Sequence, residues 1–124
     1  DTKFGDTHAK FGLRPTWGMS QTLSQAVGIR LAKEMSYSAR IILGDEAVRV
    51  GLANKAEKNK EDLDSLVDKI SSQISSNSKE AVTAFKDLYN LAQSGLGLDE
   101  ALKAELDREY PEIKDTNERL SEFK

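Results

Sequence analysis

The sequence predicts a mainly α-helical chain with one or two short strands near its beginning. Apolar residues after Ser20 recur at intervals of three or four, which is the spacing of one helix face. Charged residues make up 31% of the 124 residues, a fraction typical of amphipathic helices whose outer faces meet water. Glycine, proline and aromatic residues are concentrated between Phe4 and Gly18, so we expect irregular structure there.

The first segment should hold a strand, a loop and a turn. Residues 2–5 predict a short strand, and an extended loop that contains His8 follows it. Pro15 favours a turn over residues 15–18, in which Gly18 is free to take a positive φ.

A single helix should follow the turn. Ser20 is placed to cap it, and the helix should end near residues 36–38. Gly28 lies within it and suggests close approach of another backbone. The apolar face is formed by Met19, Leu23, Val27, Leu31 and Met35.

Shorter elements are predicted next. Residues 41–43 are a short apolar run, and Asp45 is placed to cap a brief helix over residues 46–50 that Gly51 ends. Residues 52–56 are compatible with a short strand or an extended return.

The last part predicts three longer helices and a short one. Asn59 and Asp62 have capping-box spacing, and Ser78, Asp99 and Thr116 are placed to cap the helices that follow. Each helix is apolar on one side only, so each should pack on another helix or on a partner. The three main faces are Leu63, Leu66, Val67, Ile70 and Ile74, then Ala81, Val82, Phe85, Leu88, Tyr89 and Ala92, then Leu102, Leu106 and Tyr110.

Composition argues against several classes of function. The net charge of −3 with mixed signs gives no electrostatic case for nucleic-acid binding. No apolar run approaches the roughly 20 residues of a membrane helix, so we expect no membrane partner. Without cysteine there is no disulfide or thiolate, and with one histidine no metal site or Ser-His-Asp arrangement follows from spacing. The chain begins at Asp1 rather than Met, which is compatible with a lost leader.

A set of residues then occurs in a characteristic order: Phe4, Gly12, Pro15, Gly18, Gln21, Leu23, Val27-Gly28, Ala32, Met35, Glu46-Ala47, Gly51-Leu52 and Asn54. In this order they resemble the second half of the crotonase superfamily, which contains the enoyl-CoA hydratases and isomerases. Ala53 departs from the family's usual valine. The run Asp6-Thr7-His8-Ala9, with Pro15-Thr16-Trp17-Gly18 after it, resembles a subgroup that lacks the usual Pro-Glu motif.

The resemblance implies an α/β crotonase-like fold (the ClpP/crotonase fold) in a parent protein of which this chain is the C-terminal half. Residues 1–57 would be the end of the crotonase core, with a strand, the active-site loop, a helix and a short strand. Residues 58–124 would be a helical trimerisation region. Because the family's sheet lies mostly in the other half, we expect the apolar face of the helix that begins near Ser20 to be exposed to water. The chain alone should then be either an oligomer, since an exposed apolar face drives association, or a rearranged fold.

The family also implies the partners. Its members bind acyl-CoA thioesters in fatty acid metabolism, with CoA as part of the substrate and no separate cofactor. The parent would be a homo-oligomer, a trimer or hexamer, located in the cytoplasm or in an organelle matrix if eukaryotic.

The resemblance assigns the site residues as well. Two backbone amides of the family hold the thioester oxygen of an enolate-like intermediate, and hydratases add two glutamates that activate a water. The amides and the first glutamate belong to the front half, and the second glutamate falls at His8, whose imidazole is suited to proton transfer. Pro15, Trp17 and Gly18 would contact substrate, and Phe123 would lie near the nucleotide of a neighbouring subunit's CoA. The alternatives are a structural loop histidine, a core or interface tryptophan and a frayed terminal phenylalanine.

Two main functions follow as hypotheses. In the first, the parent is an enoyl-CoA hydratase or isomerase, and the chain alone is inactive because it lacks the amide pair. In the second, the chain is a non-catalytic helical interaction or assembly module. RNA binding, known for some relatives of the family, is a third and weaker hypothesis that the acidic balance disfavours.

Overall fold

The computed structural model describes residues 1–122 and divides into two compact units, Asp1–Asp64 and Ser65–Lys124. The elements in chain order are β1 (Lys3–Phe4), one turn of 3₁₀ helix (Ala9–Phe11), α1 (Met19–Val27), α2 (Ile29–Ser38), β2 (Ile42–Leu43), α3 (Gly44–Arg49), α4 (Lys60–Ser75), α5 (Lys79–Ala92), α6 (Leu98–Leu106) and α7 (Thr116–Glu122). The boundary between the units lies within α4. The predicted mainly helical chain with one or two short strands is confirmed. Within the described residues, no helix combines the length and apolar character needed to cross a membrane.

The sheet consists of the two strands of the first unit. β1 pairs antiparallel with β2, with Lys3 opposite Leu43 and Phe4 opposite Ile42. The strand predicted over residues 2–5 is therefore confirmed. Residues 52–56 form no strand, because the chain folds back onto α3, and the amides of Leu52 and Ala53 both donate to the carbonyl of Ala47.

The helix predicted as continuous from Ser20 is two helices, α1 and α2, separated at Gly28. Gly28 has φ 78° and ψ 153°, a conformation that essentially only glycine adopts. Among residues 1–122 nothing approaches within 4 Å of the position a Cβ would take there, so the predicted close approach of another backbone is wrong. The predicted cap is also wrong by two residues, since the N-cap of α1 is Gly18 with φ 84° and not Ser20.

The apolar face of α1 and α2 forms the core of the first unit. Leu23, Ala32 and Met35 are buried together with Ile42 of β2 and Ala47 of α3. The expectation that this face is exposed to water is therefore wrong. β2 and α3 cover it within the same unit, and burial of this apolar surface stabilises the unit at roughly 25 cal/mol per Å² removed from water.

Two predicted helix caps are confirmed. Asn59 Oδ1 accepts a hydrogen bond from the Asp62 amide at 2.8 Å, and its side-chain amide donates to Asp62 Oδ2 at 2.8 Å. Ser78 Oγ accepts from the Ala81 amide at 3.3 Å and donates to Asp115 Oδ1 at 2.8 Å. These side chains satisfy amide groups that a helix start leaves free.

Three other predicted caps lie inside their helices. Asp45 and Asp99 occupy the first turns of α3 and α6, whose N-cap residues are Leu43 and Gly97. Thr116 is the first helical residue of α7. An aspartate in a first turn is still favourable, because its charge opposes the positive end of the helix dipole.

The second unit leaves large apolar side chains exposed. Phe85 and Tyr89 stack on the surface of α5 with ring centroids 6.4 Å apart, and they are 60% and 70% exposed. The other exposed apolar residues of this unit include Val67, Ile70 and Ile74 of α4 and Leu102 and Leu106 of α6. Packing within the unit therefore leaves much of the three predicted faces in contact with water.

Replacement of Gly28 tests the break between α1 and α2. We expect Gly28→Ala to lower the free energy of unfolding by about 1–3 kcal/mol, because alanine must adopt a backbone conformation that its Cβ disfavours. Gly97→Ala is the matched control, since Gly97 is also a helix N-cap but has φ −63°. Urea unfolding followed by circular dichroism measures both. Equal effects of the two replacements would contradict this account of the break.

Candidate functional site

The loop after β1 carries the only histidine of the chain. The segment predicted as an extended loop instead contains one 3₁₀ turn, which begins after His8. The His8 carbonyl accepts hydrogen bonds from the amides of Phe11 at 3.0 Å and Leu13 at 2.9 Å. These two bonds hold the backbone of His8 in place.

Asp6 binds His8 through both its backbone and its ring. The Asp6 side chain is 3% exposed, and its Oδ1 lies 2.6 Å from His8 Nδ1. The same oxygen accepts the His8 backbone N–H at 3.2 Å. One carboxylate oxygen therefore fixes the turn of the chain and the direction of the imidazole together.

Ser36 of α2 occupies the other oxygen of this carboxylate. Its hydroxyl donates to Asp6 Oδ2 at 2.7 Å. Burial raises the pKa of Asp6, but the hydrogen bonds from Ser36 and His8 together outweigh it, so the pKa of this carboxyl lies below its ordinary value. Asp6 is thus a carboxylate anion at neutral pH.

A mostly apolar cavity of about 290 Å³ lies beside the histidine. Its volume is near the lower end of the range of small-ligand sites. The lining includes Leu13, Pro15, Ile29 and Ala32, with Lys33 and Tyr37 as polar members.

His8 is the side chain of this cavity that is best suited to proton transfer. Its side chain is 31% exposed and lines the cavity. Nδ1 is occupied by Asp6, and no group in the described part of the chain bonds Nε2. Nε2 is therefore the ring nitrogen available for proton transfer at the cavity wall.

The predicted site residues are only partly brought together. His8 and Pro15 line the cavity, whereas Trp17 and Gly18 lie in the adjoining turn and do not. The Trp17 side chain is 94% exposed. Phe123 lies outside the described residues. The roles of these residues in substrate binding stay predictions.

Asp6 and Ser36 were not among the predicted site residues. Asp6 had a local signal, because an aspartate two residues before another residue can accept that residue's backbone N–H in an Asx turn. Ser36 had none, since it lies 30 residues from Asp6 along the chain and nothing in the helical spacing marks it.

The site and fold agree with a known family. The sequence model of the family described as "Enoyl-CoA hydratase/isomerase" matches residues 1–123. The chain therefore belongs to the enoyl-CoA hydratase/isomerase family, and the resemblance to the crotonase superfamily is confirmed at that level.

Two curated relatives show how much of the family is present. The probable peroxisomal enoyl-CoA hydratase 1 of Arabidopsis thaliana is 36% identical over 110 residues, which are 87% of this chain and 40% of that protein. The short-chain-enoyl-CoA hydratase of Clostridium acetobutylicum is 36% identical over 90 residues, which are 73% of this chain and 34% of that protein. The chain thus spans about two-fifths of the length of these relatives or less.

Solved structures agree on the fold. An enoyl-CoA hydratase from Mycobacterium smegmatis is 36% identical, with a TM-score of 0.67 over 82% of this chain and 48% of that one. The enoyl-CoA hydratase from Mycobacterium tuberculosis is 31% identical, with a TM-score of 0.69 over 84% of this chain and 47% of that one. The predicted crotonase-like fold class is therefore confirmed for this chain.

The charge of Asp6 should appear in the pH dependence of stability. Its pKa in the folded chain is below the ordinary value of 3.8, so its contribution is complete above that value and is lost as pH falls through the folded pKa. At neutral pH we expect Asp6→Asn to lower the free energy of unfolding by about 1–3 kcal/mol through weakened charged hydrogen bonds. The difference from the natural chain should shrink below the ordinary pKa.

Urea unfolding at neutral and acidic pH measures this difference. Asp68→Asn is the control, because Asp68 is exposed in the middle of α4 and we expect its replacement to change little at either pH. A deficit of the Asp6 variant that is constant across the whole pH range would contradict the charged state of Asp6.

Proposed function

We propose that this chain contributes one wall of an acyl-CoA thioester site in an enoyl-CoA hydratase/isomerase-like protein, with His8 as the proton-transfer base. The observation that carries the proposal is His8 itself. It falls at the family's second glutamate position, lines the cavity and has its ring held by a buried carboxylate. The proposal includes membership of the subgroup in which Asp6-Thr7-His8-Ala9 replaces the Pro-Glu motif.

The reaction class follows from what a thioester needs. Loss of a proton from the carbon beside the thioester carbonyl leaves negative charge on the oxygen, which two backbone amides stabilise in this family. The resemblance assigns those amides to the part of the family's length that this chain does not span. We therefore expect these 124 residues alone to bring about no turnover.

A single imidazole favours isomerisation over water addition. A hydratase of the family uses two carboxylates to hold and activate water, and one of these positions here is His8. Nε2 alone suffices to take a proton from one carbon and return it to another, which moves a double bond without a net change in protons. The substrate supplies CoA, and no separate cofactor is invoked.

Turnover by a polypeptide of full family length that contains these residues tests the proposal. We expect His8→Ala to lower the rate with a 3-enoyl-CoA about 10²- to 10⁴-fold, because the proton loses its acceptor. Arg49→Ala is the control. Arg49 is exposed on α3, so we expect its replacement to leave the rate unchanged.

The same assay distinguishes the reactions. Crotonyl-CoA reports water addition, and a 3-enoyl-CoA reports isomerisation. No turnover of either substrate, together with no thioester binding, would overturn the proposal. Turnover by the 124-residue chain alone would overturn the requirement for the amide pair.

The second candidate function is a non-catalytic assembly module. It is favoured by the exposed apolar side chains of α4, α5 and α6 in the second unit. Such surfaces on a small chain are typical of protein interfaces. For the parent protein, the corresponding proposal is that it forms a homo-oligomer, either a trimer or a hexamer. Its location in the cytoplasm or in an organelle matrix stays a prediction.

Sedimentation of the 124-residue chain tests the assembly function. We expect concentration-dependent association, and we expect Phe85→Ala to weaken it about tenfold or more because an exposed aromatic anchor is lost. Lys86→Ala is the matched control, one residue further along the same helix and also exposed. A chain that stays monomeric at all concentrations and binds no partner would contradict the module.

A further inference from the structure

We propose that Asp6 is a positioning residue that fixes the tautomer of His8, so that the imidazole lone pair lies on Nε2 at the cavity wall. Ser36 fixes Asp6 in turn from α2. The inference rests on the proposed role of His8 in proton transfer, and it concerns two residues that the family resemblance does not assign.

The position of the ring hydrogen follows from the charge of Asp6. An ionised carboxylate can only accept hydrogen bonds, so the groups that contact it must be donors. His8 Nδ1 lies 2.6 Å from Oδ1 and therefore carries the hydrogen. In a neutral imidazole the lone pair is then on Nε2, which is the atom that takes up a proton.

The contact between Asp6 and the ring of His8 is not needed to close the loop. The His8 backbone N–H already donates to Asp6 Oδ1 at 3.2 Å, and the amides of Phe11 and Leu13 bond the His8 carbonyl, so the backbone of the turn is held without the ring contact. The ring contact is shorter and charge-assisted, and it lies beside a carboxylate that is 3% exposed, where screening by water is weak. When Nε2 takes a proton, the same carboxylate stabilises the imidazolium without being protonated itself.

Ser36 gives the carboxylate its orientation. Its hydroxyl reaches Asp6 Oδ2 at 2.7 Å, so both carboxylate oxygens are engaged. The neighbouring Met35 is 1% exposed, which anchors this turn of α2 in the core of the first unit. The direction of the imidazole thus depends on a helix whose apolar face packs in the core of the first unit, as well as on the loop that carries it.

The ring nitrogens of His8 can be observed directly, because it is the only histidine in the chain. We would record long-range ¹H–¹⁵N spectra of the ¹⁵N-labelled 124-residue chain at a pH where imidazole is uncharged. We expect the hydrogen on Nδ1 in the natural chain. We expect Asp6→Ala to move most of it to Nε2, the form that free histidine prefers, and Asp6→Asn, which keeps an acceptor oxygen, to restore part of the Nδ1–H form.

Replacement of Ser36 tests the second step and does not depend on whether Asp6→Ala folds. We expect Ser36→Ala to lower the Nδ1–H fraction, because Asp6 Oδ2 loses its donor. Ser38→Ala is the matched control on the same helix, and its hydroxyl instead donates to the Glu34 carbonyl. An unchanged Nδ1–H fraction in Ser36→Ala would remove Ser36 from the proposal.

The spectrum of the natural chain decides whether Asp6 fixes the tautomer of His8. A hydrogen on Nε2 in its spectrum, or an Asp6→Ala spectrum identical to it, would overturn the positioning role. These results do not require turnover, so they separate this inference from the proposed function. In an active polypeptide of full family length, we expect Asp6→Ala to lower kcat at least about tenfold with little change in KM.

Discussion

The buried carboxylate of Asp6 is the contact on which the site depends. Its two oxygens bind the loop after β1 and the last turn of α2, so the carboxylate that orients the histidine also links two segments of the first unit. A buried charge is tolerated only where its hydrogen bonds are complete. Within residues 1–122, no buried side-chain nitrogen or oxygen lacks a partner, and Asp6 meets this condition through His8 and Ser36.

The first unit builds a small core without help from the second. α1 and α2 present one apolar face to β2 and α3, and Met35 and Ile42 are almost wholly buried there. The second unit differs, because α5 keeps Phe85 and Tyr89 on its surface. A chain that spans about two-fifths of its relatives' length thus contains one self-contained core and one set of apolar faces in contact with water.

The sequence predicted where most helices lie because apolar spacing records which side of a helix is buried. It did not predict the break at Gly28, since the apolar spacing continues from Val27 to Leu31 across the break. For the site, His8 was found by its rarity and its place in the family's order. Its partner Ser36 was not, because contacts between distant segments leave no mark on local spacing.

The exposure of Trp17 has a consequence for measurement. Its indole is the only one in the chain, and it lies 94% in water beside the cavity but outside its lining. Fluorescence emission from this single ring therefore reports whether anything covers the turn, separately from occupancy of the cavity. Burial of this ring under an apolar surface would be favourable, and that contribution would be independent of the chemistry at the imidazole.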